Sequence, residues 1–223
     1  LHIDLSKETG FKDYAYGDYC EKMLLEKFGA TTVDSIDNSD YEGASIIFDL
    51  SSNENTNNIN YFDTILDFGT LEHIFNFPNA LQNIFQRSKV GTRIMHVLPA
   101  NNICGHGFWQ FSPELFFSLY SIKNGFIDTS VYLAEAFDKR RCYKVNPLDG
   151  RQRINIKSES EVFVIVFTTV NRLNIKVDDL EVMQRDYEYA WDGEEHSEET
   201  KLNQQKTKFF RSISFVKRFK LIF

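Results

Sequence analysis

A chain of 223 residues, 42% hydrophobic and 15% aromatic, holds enough apolar side chains for one α/β domain with a real core and is not disordered through its body. A net charge of −7 argues against general nucleic-acid binding. With no apolar run near the roughly 18 residues that span a bilayer, no signal peptide, and only Cys20, Cys104 and Cys142 as thiols, the default is a cytoplasmic enzyme in a reducing compartment without a transmembrane segment.

In chain order, Leu1 to Leu5 alternates and suits a short strand, and the polar, aromatic stretch after it reads as a loop. Tyr19 to Phe28 is a helix with Cys20, Met23, Leu24 and Phe28 on one face, stopped by Gly29. Thr32 to Ile36 is a strand ending at Asp37. In doubly wound folds an acid at that tip accepts from both hydroxyls of a ribose. Ala44 to Phe48 is the next strand, followed by Asp49 and Leu50 and then by an asparagine-rich loop.

The stretch from Phe62 to Pro113 organises the rest. Asp63 to Leu66 is a short buried strand ended by Asp67-Phe68-Gly69. From Leu71 the apolar residues fall at helical spacing, interrupted by Pro78, and Lys89-Val90-Gly91-Thr92 closes the helix with Gly91 as a left-handed cap. Arg93 to Leu98 is a second strand, which completes a βαβ unit and predicts a parallel pair. Ser112-Pro113-Glu114 starts a helix to Ile122. Thr129 to Phe137 and Glu161 to Thr169 are strands separated by a long polar segment with a turn at Pro147 and Asp149-Gly150.

Two runs here, FDTILDFGTLEHIFN and PANNICGHGFWQFSPELFF, resemble the class I S-adenosylmethionine-dependent methyltransferases, in the type 11-like branch and a bacterial subgroup with a Gly-His-Gly-aromatic-Gln-Phe-Ser-Pro run. The resemblance covers roughly Phe28 to Asn171. It implies an α/β, Rossmann-like doubly wound, mostly parallel sheet whose last strand is antiparallel, so residues 1–171 form one methyltransferase-like domain. The family's Gly-x-Gly-x-Gly loop is not seen, so the first strand is expected to be atypical or to lie upstream of Leu1.

The resemblance further implies that S-adenosylmethionine is bound and S-adenosylhomocysteine released. Asp37 would hold the ribose, Asp49 the adenine amino group and Leu50 the ring; the ordinary alternatives are that Asp37 caps the next turn and Asp49 initiates the turn after it. Asp67 and Gly69 would line the methionine end, and Glu72 with His73 would lie near the donor. The acceptor is expected to be a small molecule or a glycan, methylated at oxygen or nitrogen.

Methyl transfer from a sulfonium is an in-line displacement that needs donor and acceptor about 3 Å apart and, for a hydroxyl, a base. His106 in its glycine-flanked loop is the first candidate and His73 the second. Each has an ordinary alternative, as a loop-stabilising or a carbonyl-bonded histidine. His96, in mid-strand, reads as structural. Phe108, Trp109 and Phe111 are either walls of an acceptor site or core. No metal is expected, because Cys104 and His106 with His73 or His96 lack a second close ligand pair.

Beyond Asn171 the composition changes. Residues 172–200 form an acidic segment, and 201–223 a basic, aromatic tail that suits peripheral contact with an anionic membrane or a partner's acidic surface, and equally an intramolecular strand or a disordered end. A non-catalytic binding module on the same fold is the competing reading.

Overall fold

The computed structural model describes residues 19–53, 62–136, 142–147, 153–155 and 157–187. The expected strand at Leu1 to Leu5, the Asp149-Gly150 turn and the basic tail lie outside them. The chain divides after Leu50 into two compact units.

The described part of the first unit is small. Helix α1 spans Glu21–Lys27, shorter at both ends than the apolar spacing predicts. Its Met23 and Leu24 are half-buried, while Phe28 is exposed. Gly29 at φ +72° ends it as predicted. Strands β1 (Ile36–Asp37) and β2 (Ile46–Ile47) pair in parallel. They are two residues each, where the sequence predicts five.

The second unit is built on a five-stranded sheet in the order β3-β4-β7-β5-β6. The strands are β3 (Phe62–Asp67), β4 (Ser88–Asn101), β5 (Phe126–Glu135), β6 (Cys142–Val145) and β7 (Val162–Val170). β3 and β4 are parallel, as the βαβ reading requires. β7 lies between β4 and β5 and runs antiparallel to both, and β6 returns antiparallel along β5. The chain is therefore α/β with a mixed sheet, and most pairings among the described strands are antiparallel rather than parallel. The expectation of a mostly parallel sheet came from the family resemblance, whereas the βαβ unit itself predicts only the one parallel pair that is found. Periodicity shows that a strand exists and not where it inserts, and here one reversed strand takes the central position.

Three local differences have clear causes. Pro78 does not interrupt a helix running from Leu71. The chain makes a 3₁₀ turn at Leu71–His73, extends at Ile74, and starts α2 at Phe77–Gln86 with proline in its first turn. A missing N–H costs nothing there, because first-turn donors have no intrahelical partner. Gly91 is not a helix cap. At φ +91° it lies inside β4, where the pairings Phe62↔Ser88 and Thr64↔Arg93 set two steps of β3 against five of β4. Thr92 Oγ1 bridges this bulge, accepting from Lys89 N–H and donating to the Phe62 carbonyl. The polar segment between β5 and β7 contains β6, which its composition concealed.

The core lies between the sheet and helices α2 and α3 (Pro113–Leu119). Thr92, Ile94, His96 and Leu98 alternate onto the buried face of β4, as period two requires. Phe85 of α2, Phe116 of α3, Tyr120 and Phe126 pack there, with ring centroids 4.8 to 6.3 Å apart. Ser112 caps α3, its Oγ accepting from Glu114 N–H.

The described part of the acidic segment docks on this unit. Gln82 bonds the Ile175 carbonyl and Val177 N–H. Asn124, 1% exposed, bonds the carbonyl and N–H of Glu181. Arg185 forms a two-pronged pair with Glu114. Among the described residues no helix is long and apolar enough to cross a membrane.

Candidate functional site

β3 and β4 are parallel, so the turn after Asp67 and the loop after Asn101 emerge at the same, carboxyl, end of the sheet. That is where open α/β sheets place their ligand-binding loops. The loop 103–109 folds back onto the turn 71–73. The backbone carbonyl of Glu72 accepts from Phe108 N–H at 2.6 Å and from Trp109 N–H at 3.3 Å, and the Trp109 indole donates to the Ile74 carbonyl at 3.0 Å. Gly107, at φ +73°, is required twice. L-residues rarely adopt that conformation, and a Cβ there would stand 2.7 Å from Glu72 Cγ and 2.8 Å from its carbonyl oxygen.

This clamp brings His106 to Glu72, with Nε2 3.4 Å from Oε1. His73 Nε2 is 4.0 Å from the same oxygen, and the two imidazoles meet edge to face with centroids 4.7 Å apart. The three ligand-type atoms lie within 4.8 Å of one another. Glu72 is 1% exposed, whereas the side chains of His73 and His106 are half open to solvent. Glu72 Oε2 is buried with no hydrogen-bond partner. Burial, more than any other influence, pushes the Glu72 carboxyl above the usual range; its own backbone N–H opposes this, Asp67 adds to it, and the two histidines oppose it. Gly69, at φ +95°, brings a notional Cβ to 3.2 Å from Glu72 Oε1, so its close approach is to this carboxylate.

Beneath the trio runs a second, fully buried line of polar groups. The register Asp67↔His96 sets Asp67 Oδ2 2.6 Å from His96 Nδ1, and His96 Nε2 is 2.6 Å from the Tyr120 hydroxyl. A neutral imidazole satisfies the whole line. Its Nδ1–H donates to the carboxylate and its Nε2 accepts from the phenol. Tyr120 is held well above the usual tyrosine range, by burial first and by the charge of Asp67 second. The other Asp67 oxygen accepts from Thr70 N–H. Both oxygens of Asp67 are thus engaged inside the unit.

The remaining sequence candidates divide between the two units. Asp37 sits at the tip of β1 and is exposed, its Oδ1 accepting from Ser39 N–H and Oγ. Asp49 and Leu50 follow β2, the first exposed and the second half-buried. Of the aromatic run, Phe111 is core, Trp109 is half-buried, and Phe108 is exposed against the exposed Phe75. Cys104 is exposed and lies outside the trio.

Two features escaped the sequence. Tyr120 is simply another apolar-face residue of a helix until β4 places His96 against it. The metal-type grouping contains a carboxylate, which cysteine and histidine spacing does not register and for which the adjacent Glu72-His73 pair is the sequence signal. No family model, no curated protein and no solved structure matches the chain.

Proposed function

We propose that the chain is an S-adenosylmethionine-dependent methyltransferase acting on a small-molecule or glycan acceptor. The observation that carries the reading is the meeting of His106 and Glu72 at the carboxyl end of β3 and β4. An exposed imidazole backed by a buried carboxylate is suited to taking a proton from an acceptor hydroxyl, because the carboxylate stabilises the imidazolium that forms. His106 is the base, and Glu72 positions it. The parallel β3–β4 pair with the reversed β7 beside it supports the reading, and the GHGF and LEH motifs supply the two halves of the site. Asp37, Asp49 and Leu50, in the first unit, keep the nucleoside roles that the resemblance implies for them. Asp67, with both oxygens engaged, is assigned to supporting the site rather than to the methionine ammonium group.

The test is calorimetry of the chain with S-adenosylhomocysteine, followed by transfer of a labelled methyl group to a panel of hydroxyl and amine acceptors. Micromolar binding that weakens in Asp37→Ala, with transfer lost and binding kept in His106→Ala, is expected. Absence of donor and product binding overturns the reading and favours a non-catalytic module, to which the internal engagement of Asp67 also points.

A further inference from the structure

We infer that Glu72, His73 and His106 form a three-ligand site for a divalent transition cation of the zinc type, with its fourth position open to solvent. Two nitrogens and one carboxylate oxygen are a donor set that zinc, cobalt and ferrous iron accept readily. Two ligands each about 2.1 Å from zinc at a tetrahedral angle stand roughly 3.4 Å apart. His106 Nε2 and Glu72 Oε1 are already at 3.4 Å, His73 Nε2 is 4.0 Å from that oxygen, and all three ligand atoms lie within 4.8 Å of one another.

An independent observation points the same way. Glu72 Oε2 is buried and has no hydrogen-bond partner, although a buried carboxylate ordinarily fills its acceptor positions. Glu72 Oε1 faces the two histidines, and a cation there would add counter-charge to a buried carboxylate whose other oxygen has no hydrogen-bond partner.

The site is also built in advance of any ion. Glu72 and His73 are consecutive in a tight 3₁₀ turn. His106 is delivered by a loop that two backbone hydrogen bonds pin to the Glu72 carbonyl. Gly107 admits that approach only because it lacks a side chain. The side chains of His73 and His106 are half open to solvent, which leaves the trio accessible to water or to an acceptor oxygen. An open position of this kind distinguishes a reactive metal site from a structural one. With a cation bound, His106 and Glu72 serve as ligands, and polarisation of the acceptor hydroxyl by the cation takes the place of proton removal by a free His106 imidazole. The inference does not depend on methyl transfer, since it rests on the trio alone.

The experiment is titration of the full chain with Zn²⁺ by calorimetry, and with Co²⁺ followed by its visible absorption, for the wild type and for Glu72→Gln, His73→Ala, His106→Ala and Cys104→Ser. Circular dichroism is recorded for each to establish folding. One equivalent bound, weakened about tenfold or more in each of the three ligand variants and unchanged in Cys104→Ser, is the result expected. Binding that survives in His106→Ala and His73→Ala, or that is lost only in Cys104→Ser, overturns the site. So does a wild type that binds no Zn²⁺ at all. Donor binding measured on the same samples separates this outcome from that of the methyltransferase reading.

Discussion

Gly107 and Glu72, thirty-five positions apart in the chain, touch so closely that a single added methyl group would stand 2.7 Å from Glu72 Cγ. Everything that gives His106 a role passes through this contact. It sets the height of the loop above the turn, and it lets the Phe108 N–H reach the Glu72 carbonyl at 2.6 Å.

Gly107→Ala is therefore expected to act as a local lesion with two causes, a strained positive φ and a clash with backbone. The loss should be about 2 kcal/mol or more in denaturant unfolding. Gly105→Ala, where a Cβ meets nothing within 4 Å, is the matched control and should be near neutral. Equal losses in the two would remove the close contact from the explanation.

Glu72→Gln should separate stability from site chemistry. The carboxylate is buried with one oxygen unpartnered, so replacing it with an isosteric neutral amide is expected to leave stability unchanged or raise it by up to about 1 kcal/mol. The pairing with His106 is weakened at the same time. Chemical denaturation midpoints at neutral pH provide the measurement, and a marked destabilisation would show that the carboxylate charge is compensated in the fold.

Tyr120→Phe leaves His96 Nε2 without its partner in a fully buried place, which should cost about 1–3 kcal/mol at neutral pH. Its pH dependence has a definite sign. The folded state holds the phenol above the ordinary tyrosine range, so the unfolded chain releases this proton first. The wild type keeps the full contribution below about pH 10 and loses stability as pH rises beyond it. The variant, having no such proton, should lose less over the same alkaline window. Urea unfolding at neutral and alkaline pH compares the two slopes.

Arg185→Ala should loosen the described end of the acidic segment. Arg185 pairs with Glu114 through two hydrogen bonds at 2.9 Å and sits over the Phe117 ring. Both charged partners are about one-quarter exposed, which limits the global effect to about 1 kcal/mol. The sharper readout is hydrogen exchange at the Glu181 and Met183 amides, which donate to Asn124 Oδ1 and Ser118 Oγ. Faster exchange at both is expected, with the core of β7 unaffected.

The amino-acid pattern alone determined the elements whose signal is local. The parallel β3–β4 pair follows from two apolar runs joined by a helix-length segment. The start of α3 is written in Ser112-Pro113-Glu114, and Gly29 marks the end of α1. His106 is legible as a candidate from its glycine-flanked loop after a strand, and Glu72 only through the family likeness of the Leu71-Glu72-His73 triplet. Pro78 and Gly91 are visible in the sequence but locally ambiguous, since a proline fits a helix's first turn as well as it breaks a helix, and a positive-φ glycine serves a bulge as well as a cap. Tertiary structure alone decided the central place of β7, the buried line from Asp67 through His96 to Tyr120, and the convergence of Glu72, His73 and His106. These depend on which strand lies beside which and on how far one loop descends onto another. Such distances are set by the packing of residues far apart in sequence, and local pattern carries no record of them.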